Sequence, residues 1–536
     1  MGSRRPELDI PDLALPAFVL QDAAARGDKP ALVDATDGRS IGYGELAAAV
    51  EATAAGLAAR GFGRGHVLAI CCPNLPEYAI AFHGAVAAGG TVTTLNPLST
   101  VDELVTQLRT ARARFLVTVP AVLDKAGPAA TAAGVEQVFA VGAAAPYARA
   151  TPFDALAATA GSSSDLDGGG GIRPSTDIAA LPFSSGTTGT SKGVMLTHRN
   201  LVANLCQVAQ VHHVTEDDVV IAVLPFFHIY GMTMVMNLSL WRGATVVTLP
   251  RFDLAQFVSA LEARRVTRAY VVPPIVLGLA RSPLVDGRDL SALRLVNSGA
   301  APLSPAVAEA CAQRIGCLVV QGYGLTETSP VTHLTPDTPG TNRPGSVGPP
   351  VPGTECRVVD PETGEDVAAG ATGEVWVRGP QVMAGYLDDP DATAATVVEG
   401  GWLRTGDLGV VDDDGYLSVV DRLKELIKYK GLQVPPAELE AVLLTHPAVA
   451  DAAVVPSPDE EAGEVPKAFV VLRSPASPEE LMGYVAERVA PHKRVRRLQV
   501  VDAIPKSPSG KILRRLLTER ERERSSEASV TVDRSG

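Results

Sequence analysis

Short apolar runs alternate with longer stretches of helical period through the first half of the chain. Val67–Cys72, Thr91–Leu95 and Phe115–Val119 have the length and β-branched content of buried strands. Glu77–Ala88 and Val101–Ala111, between them, read as helices. The alternation resumes with strands at Val219–Leu224, Ala244–Leu249, Ala269–Val272, Leu293–Asn297 and Cys317–Gln321. Helices separate them, one running to Trp241, one starting at Leu254 and one at Ser304. Strands that alternate with helices predict parallel sheets covered on both faces, an α/β fold.

Val219–Trp241 holds no Asp, Glu, Lys or Arg, and its length could cross a bilayer. Pro225, His228, Gly231 and Asn237 interrupt it, so it reads as strand, turn and buried helix rather than a membrane span. Gly161–Ser175, with glycines at 168–171, is a low-complexity connector between two subdomains. Past Gly340 the runs shorten. Cys356–Asp360, Glu374–Arg378 and Tyr416–Val420, set between Gly-, Asp- and Pro-rich turns, predict a small β-rich unit. Past Asp421 the pattern is mixed: a helix at Pro436–Leu444, strands at Ala452–Val455 and Ala468–Leu472, a helix at Pro478–Val489 and a basic C-terminal helix. The expected organisation is a large N-terminal domain, 1–421, a small α+β C-terminal domain, 422–520, and a disordered tail, 521–536.

Length supports this division, because 536 residues exceed what one compact core accommodates. The formal charge of −13 repels nucleic acid and anionic membranes in bulk while leaving room for a local basic cleft. No nucleic-acid partner is expected. Six cysteines (71, 72, 206, 311, 317 and 356) form no C-x-x-C and no metal-ligand grouping; they read as buried residues of a reducing compartment. The N-terminus lacks an apolar signal core and the C-terminus lacks a peroxisomal address. A cytoplasmic protein, monomer or homodimer, is expected.

The densest candidate chemistry is Ser184–Gly193, which reads Ser-Ser-Gly-Thr-Thr-Gly-Thr-Ser-Lys-Gly. The apolar run Ile178–Phe183 precedes it and the amphipathic run Thr197–His212 follows. Strand, glycine-rich loop and helix is an arrangement that cradles phosphate; a flexible linker has similar composition, but the lysine and the strand favour phosphate. It is not a Walker A loop. Ser191 stands where that motif needs glycine, and Gly193 where it needs a hydroxyl. Tyr323-Gly-Leu-Thr326-Glu327 follows a strand, where ligands sit in open parallel sheets. Glu327 there could hold Mg²⁺, or Thr326 could simply cap a helix. Asp407, in Thr405-Gly406-Asp407, could accept ribose hydroxyls or be a turn residue. His228 is a lone histidine among apolar residues, a context that favours a core role. Lys511 lies in a tight basic loop, Pro505–Arg515. Asp421–Gly431 is rich in Arg and Lys and reads as a charged hinge or a switch facing phosphates in one state.

Taken in order, Ser184–Gly193, Tyr323–Glu327, Thr405–Asp407, Asp421–Arg422 and Lys511 resemble the motifs of acyl-adenylate-forming enzymes, with family-like spacing over residues 15–520. That family includes acyl-CoA synthetases, beetle luciferases and peptide-synthetase adenylation domains. The runs Phe226–Gly231 and Ile427–Glu440 look most like 4-coumarate:CoA ligases and their luciferase-like relatives. One departure is Ser191, where most relatives carry proline.

The resemblance implies an N-terminal domain of two αβαβα-type subdomains plus the small β-rich unit, and a mobile C-terminal lid. It implies ATP, Mg²⁺ and coenzyme A as reactants, with a small carboxylic acid. The loop Ser184, Ser185, Gly186, Thr187, Thr188, Gly189 and Lys192 would hold the β- and γ-phosphates. Glu327 would bind Mg²⁺ and Thr326 the α-phosphate. Ser298, Gly299, Ala300, Ala301 and Pro302, with Gln321, Gly322, Tyr323 and Gly324, would hold adenine. Asp407 and Arg422 would take the ribose. Lys511 would bridge the carboxylate and α-phosphate, His228 would orient the acyl side, and Lys424 would be the hinge. Lys428, Lys430, Gly431 and Gln433 would serve the thioester-forming step. Tyr230, Met234, Gly299, Gly322, Gly324, Pro330 and Val331 would line the acid pocket. That set is apolar, which disfavours amino acids, and its glycines leave room for a flat ring. Met234 would favour an unsubstituted ring, as in cinnamate. An aryl or arylpropenoic acid is the first expectation, a medium- or long-chain fatty acid the second, and a non-catalytic nucleotide-binding homologue a remote third. A luciferase-like light reaction is also open. With no appended carrier domain or pantetheine attachment pattern after Lys511, free coenzyme A is the expected acceptor.

Overall fold

The computed structural model describes residues 8–142, 150–158, 171–184, 191–430, 432–459, 461–507 and 510–521. Residues 161–170 of the connector, most of the expected tail, loop residues 185–190 and Gly431 lie outside them. The fold is mixed α/β. Two eight-stranded sheets dominate the N-terminal part. The first runs, edge to edge, through Gly385–Tyr386, Lys192–Thr197, Ile178–Ser184, Thr91–Thr94, Val67–Cys71, Ala113–Thr118, Gln137–Ala140 and Thr151–Pro152. It is parallel from Ile178–Ser184 onward and antiparallel at the other edge. The second runs through Val331–Leu334, Leu318–Gly324, Leu295–Ser298, Arg268–Val271, Val219–Ala222, Thr245–Thr248, Pro30–Asp34 and Ser40–Gly42, parallel except at both edges.

Period-2 alternation sorts the strand residues. Leu68 and Ile70 face the core that also contains Val220 and Ile221 of the second sheet. Ala69 and Cys71 face outward, onto Leu104, Leu108, Ala126 and Ala129 of the helices Val101–Thr110 and Leu123–Ala133. The two expected α/β units are these sheets with their helices, and their cores merge. Helix Pro76–Ala87 lies within that shared core, with Tyr78 to Val86 all buried. It meets helix Tyr43–Ala58 so closely that a Cβ on Gly84 would lie 2.6 Å from Thr53 Cγ2. Asn74, just before it, ties the sheets together: its Nδ2 donates to the carbonyls of Ala222 (2.9 Å) and Leu224 (2.8 Å), and its Oδ1 accepts from Phe226 N–H at 2.8 Å.

The charge-free segment is buried, as its composition requires. Gly231–Asn237 is a π-helix, every residue of it buried, continued by the α-helix Leu238–Arg242. Among the described residues no helix is long and apolar enough to cross a membrane. The β-rich unit is a five-stranded antiparallel sheet of Glu355–Val359, Gly373–Arg378, Trp402–Val411, Val397–Val398 and Leu417–Arg422. The C-terminal part has its own sheet, with the long strand Gly463–Leu472 at its centre and the long strand Val449–Asp459 along one edge. Helices Pro436–Thr445 and Pro478–Ala486 cover it around Leu439, Leu443, Leu481 and Val485.

Two expectations are corrected. The helix in the run Thr197–His212 is present but does not follow the glycine-rich loop directly. Lys192–Thr197 is a strand antiparallel to Ile178–Ser184, and the helix is His198–Ala209, capped by Thr197 and Asn200. The loop therefore closes a hairpin, and the helix N-terminus lies a strand's length away. The tail does not begin at 521: Glu521 is buried, accepts from Ser457 Oγ at 2.7 Å and pairs with Lys467. The sequence reading also passed over strand Pro30–Asp34 and helix Tyr43–Ala58. The alanines of that helix give little contrast between its faces.

His83, His198 and His212 are fully buried, and burial pushes each down to about 4. In the unfolded chain they titrate near 6.5, so between pH 6.5 and 4 the unfolded state binds more protons and stability falls with pH. Acidification from pH 7 to 5 should cost roughly 1–2 kcal/mol per ring. Thermal unfolding at pH 7, 6 and 5 should show a falling Tm; a constant Tm would contradict the burial of these rings as neutral bases.

Candidate active site

The carboxyl ends of the second sheet's strands converge on one cleft. Strand Leu295–Ser298 ends there, and its next residues turn sharply, Ala300 adopting a left-handed φ of 68°. Gln321 Oε1 accepts the Leu303 N–H at 3.3 Å and holds the 299–303 turn, with Ala301 and Pro302, against its neighbouring strand. The Tyr230 ring lies on Gly299, where a Cβ would come within 3.0 Å of it. Its hydroxyl receives the Asn297 Nδ2 at 2.7 Å. Gly322 faces the same amide, since a Cβ there would be 3.8 Å from Asn297 Oδ1. Among the described residues, Asn297 Oδ1 and Ser298 Oγ are buried without a hydrogen-bond partner, a condition that calls for a ligand or water. Gly324 allows the chain to pass Pro330: a Cβ would sit 1.8 Å from Pro330 O. Val331 lies beside it, and Thr233 Oγ1 donates to Ser329 O at 2.9 Å, locking the π-helix to this turn; Met234, on the same π-helix, is buried. Six of the expected acid-pocket positions are thus close neighbours through Tyr230, Asn297 and Pro330.

A charged cluster forms the cleft's second wall. Asp407 and Arg422 face each other across antiparallel strands, with Arg422 Nε 3.1 Å from Asp407 Oδ1. Tyr323 O–H donates to Asp407 Oδ2 at 2.6 Å. Burial pushes the Asp407 carboxyl up, while Arg422, Tyr323 and Lys511 oppose that shift. Lys511 arrives on a hairpin closed by Gly510 N–H to Ser507 O, 2.8 Å, and Lys511 N–H to Ser507 Oγ, 3.1 Å. The left-handed Gly510 (φ 79°) lets this hairpin touch the sheet end, where a Cβ would be 2.9 Å from Val272 Cγ2. Burial lowers the Lys511 pKa, as does Arg422; Glu425 and Asp407 counter it. His228, partly buried, accepts Tyr230 N–H on Nδ1 at 3.2 Å. Burial holds it to about 4, and the Lys511 charge adds to that; it is neutral at physiological pH.

On the glycine-loop side, Ser184 Oγ is buried without a partner among the described residues. Ser185, Gly186, Thr187, Thr188 and Gly189 lie outside the described residues. Lys192 Nζ sits 4.9 Å from the Tyr386 ring centre and 3.5 Å from Asp389 Oδ2. The Tyr386 hydroxyl donates to Glu327 Oε1 at 2.9 Å. Thr326 and Glu327 form a 3₁₀ turn, Thr326–Thr328, instead of opening an α-helix. Glu327 is buried, and no group of three His, Cys, Asp or Glu surrounds it among the described residues. One carboxylate with most of its lone pairs free suits Mg²⁺, which takes its other oxygens from phosphate and water.

Lys428 and Gln433 oppose each other in the hairpin Ile427–Tyr429/Leu432–Val434, both exposed. Lys430 pairs with Glu461 at 2.5 Å; Lys424 is exposed and Gly431 is outside the described residues. The structure thus sets Lys428 and Gln433 on the edge hairpin of the C-terminal sheet. Sequence reasoning missed Tyr386, Asp389, Asn297, Glu425 and Arg514. Asp389-Pro390 is a readable helix start, Asp389 capping Ala392 N–H at 2.9 Å, but nothing local connects it to Lys192.

Two family models match: AMP-binding enzyme over residues 19–387 and AMP-binding enzyme C-terminal domain over residues 438–511. The chain is 42% identical over 524 residues to 4-coumarate--CoA ligase 5 of Oryza sativa subsp. japonica, covering 96% of each. It is 40% identical over 539 residues to the 4-coumarate--CoA ligase of Pinus taeda, covering 97% of each. Among solved structures, it resembles the anthranilate CoA ligase AuaEII in complex with anthranoyl-AMP, with TM-score 0.89, 27% identity, 97% of this chain and 99% of that one. ATP-bound MatB from Rhodopseudomonas palustris superposes with TM-score 0.84 and 30% identity, over 94% of this chain and 98% of that one.

The Gly324–Pro330 crossing yields a direct test. Gly324→Ala should lower stability by about 1–3 kcal/mol, because backbone must move to admit the methyl. An unchanged Tm would mean that the crossing is looser than described.

Proposed function

The chain belongs to the AMP-binding enzyme family, and from that we propose that it is an acid:CoA ligase, using ATP and Mg²⁺ to join an aryl or arylpropenoic acid to coenzyme A. The observation that carries the reading is the buried Asp407–Arg422 pair held by Tyr323, with the Lys511 hairpin seated through Gly510 against Val272 at the end of the second sheet. Relatives named 4-coumarate--CoA ligases, alike over nearly their full length, support it.

In the first step an oxygen of the acid attacks the α-phosphorus of ATP. The bond from that phosphorus to the bridging oxygen breaks, and pyrophosphate leaves. Two anions must meet, so the barrier is largely electrostatic and positional. Lys511, partly desolvated, offsets charge where the carboxylate and α-phosphate approach. Neutral His228 borders the acid without adding charge. Asp407 and Arg422 offer acceptors and donors for the ribose hydroxyls, with Tyr323 holding Asp407 in place. The unpartnered Ser298 Oγ and the 299–302 turn suit the adenine. Ser184 and Lys192 belong to the pyrophosphate side. Mg²⁺, held by Glu327, would supply neutralising charge to the phosphates. In the second step a thiolate attacks the acyl carbon and AMP departs. We assign this step to a different orientation of residues 422–520 on 1–421, hinged at Lys424, with Lys428, Lys430, Gly431 and Gln433 turned toward the cleft. Separate cores for the two parts support such a division.

Tyr230, Met234, Gly299, Gly322, Gly324, Pro330 and Val331 bring no charge to the acid pocket, which fits an apolar acid. 4-Coumarate or cinnamate are the preferred substrates, and a fatty acid of medium or long chain is the second reading. Six unpaired cysteines support a reducing, cytoplasmic location.

Pyrophosphate release measured over 4-coumarate, cinnamate, benzoate and octanoate should be highest with an aryl or arylpropenoic acid; preference for octanoate would favour the second reading. Lys511→Ala should lower adenylation by about two to three orders of magnitude, roughly 3–4 kcal/mol. Lys192→Ala should cost less. The reverse order would refute this division of roles.

A further inference from the structure

Three cations, Arg422, Lys511 and Arg514, gather around Glu425 and Asp407. Arg514 is the one that no step above uses. It lies three residues beyond Lys511, at the start of the helix 514–521, and its side chain is 13% exposed. Its guanidinium is a two-sided fork. Nη1 is 2.5 Å from Glu425 Oε2, one residue past Lys424. Nη2 and Nε take both oxygens of Glu440, at 2.6 and 3.2 Å. Glu440 is itself buried on helix Pro436–Thr445 and accepts Val454 N–H at 2.8 Å from strand Val449–Asp459. Burial pushes the Glu440 carboxyl up, and the Arg514 charge opposes it. Asp421, buried at the end of strand Leu417–Arg422, also faces Arg514. Such a bidentate pair fixes direction as well as distance.

Building on the ligase reading above, we propose that Arg514 is a positioning residue for Lys511. It braces the Lys511 hairpin against the hinge-side Glu425 and the sheet-anchored Glu440. Lys511 has no rigid element of its own. Its hairpin is closed by the isolated Lys506–Ile512 bridge, outside the sheets, and its ammonium must meet a transferring phosphoryl group within a fraction of an ångström. The brace makes the hairpin and the hinge segment one body, so that rotation about Lys424 delivers Lys511 in register. The thioester-forming step, served by the opposite hairpin, does not need it.

The test uses the full chain, as wild type, Arg514→Lys, Arg514→Met and Glu425→Gln, with the best acid from the panel. Two half-reactions are read: acid-dependent ATP–pyrophosphate exchange, and thioester formation from coenzyme A and synthetic acyl-adenylate. A misplacement of about 1 Å costs on the order of 100-fold, so exchange should fall by about that factor in Arg514→Met, and less in Arg514→Lys and Glu425→Gln. The thioester step should stay within about threefold of wild type. Equal losses in both half-reactions would show a merely structural role and overturn the proposal, as would exchange at the wild-type rate. If Arg514→Met fails to fold, Arg514→Lys and Glu425→Gln decide it by the same split. Absence of exchange in the wild type with every acid would instead overturn the ligase reading.

Discussion

Opposite charges drawn out of water where two parts of the chain meet are the constraint on which this structure depends. Arg422 pairs with Asp407 across a strand ladder, and Lys511 is brought to the same place on a separate hairpin. Partial burial weakens hydration, so each charge is felt strongly by its neighbours. Breaking one such buried pair costs about 3–5 kcal/mol, mostly because the other charge is stranded. The Asp407 carboxyl therefore needs Tyr323 and Arg422 as much as a ligand would need Asp407.

The apolar frame makes this cluster possible. Parallel strands with both faces covered end side by side, and those ends carry Ser298 and Tyr323, with Glu327 just beyond them. Asn74 pins the two sheets where the His228 turn begins, and Asn204 does the same for the Val331 strand, accepting its N–H at 3.0 Å and donating to its carbonyl at 2.8 Å. Small residues then set the cleft's shape. Gly299 receives the Tyr230 ring, Gly322 faces Asn297, and Gly324 crosses Pro330.

Two links at the site join residues from different levels of the fold. Tyr386, at the sheet edge, carries the Lys192 ammonium on its ring and gives its hydroxyl to Glu327. Arg514 joins the Lys511 hairpin to Glu425 and to helix Pro436–Thr445. Each ties a short loop or hairpin to residues far away in the chain.

Local sequence by itself determined the alternation of strands and helices, the buried character of the charge-free segment, the change of texture after Gly340 and the short motifs. These depend on residues a few positions apart, through side-chain period, turn chemistry and charge. The five motifs were legible as a set because their order and spacing survive in one dimension. The tertiary structure alone decided that Lys192–Thr197 continues the sheet instead of opening a helix, and that the two large sheets share a core. It decided too that Tyr386 stands between Lys192 and Glu327, and that Arg514 meets Glu425 and Glu440. Those contacts bring together residues from 59 to 194 positions apart in the first case and 74 to 89 in the second. Nothing in a short window encodes such pairings, because they arise only when whole sheets and helices bury their apolar faces and leave a few polar groups facing one another.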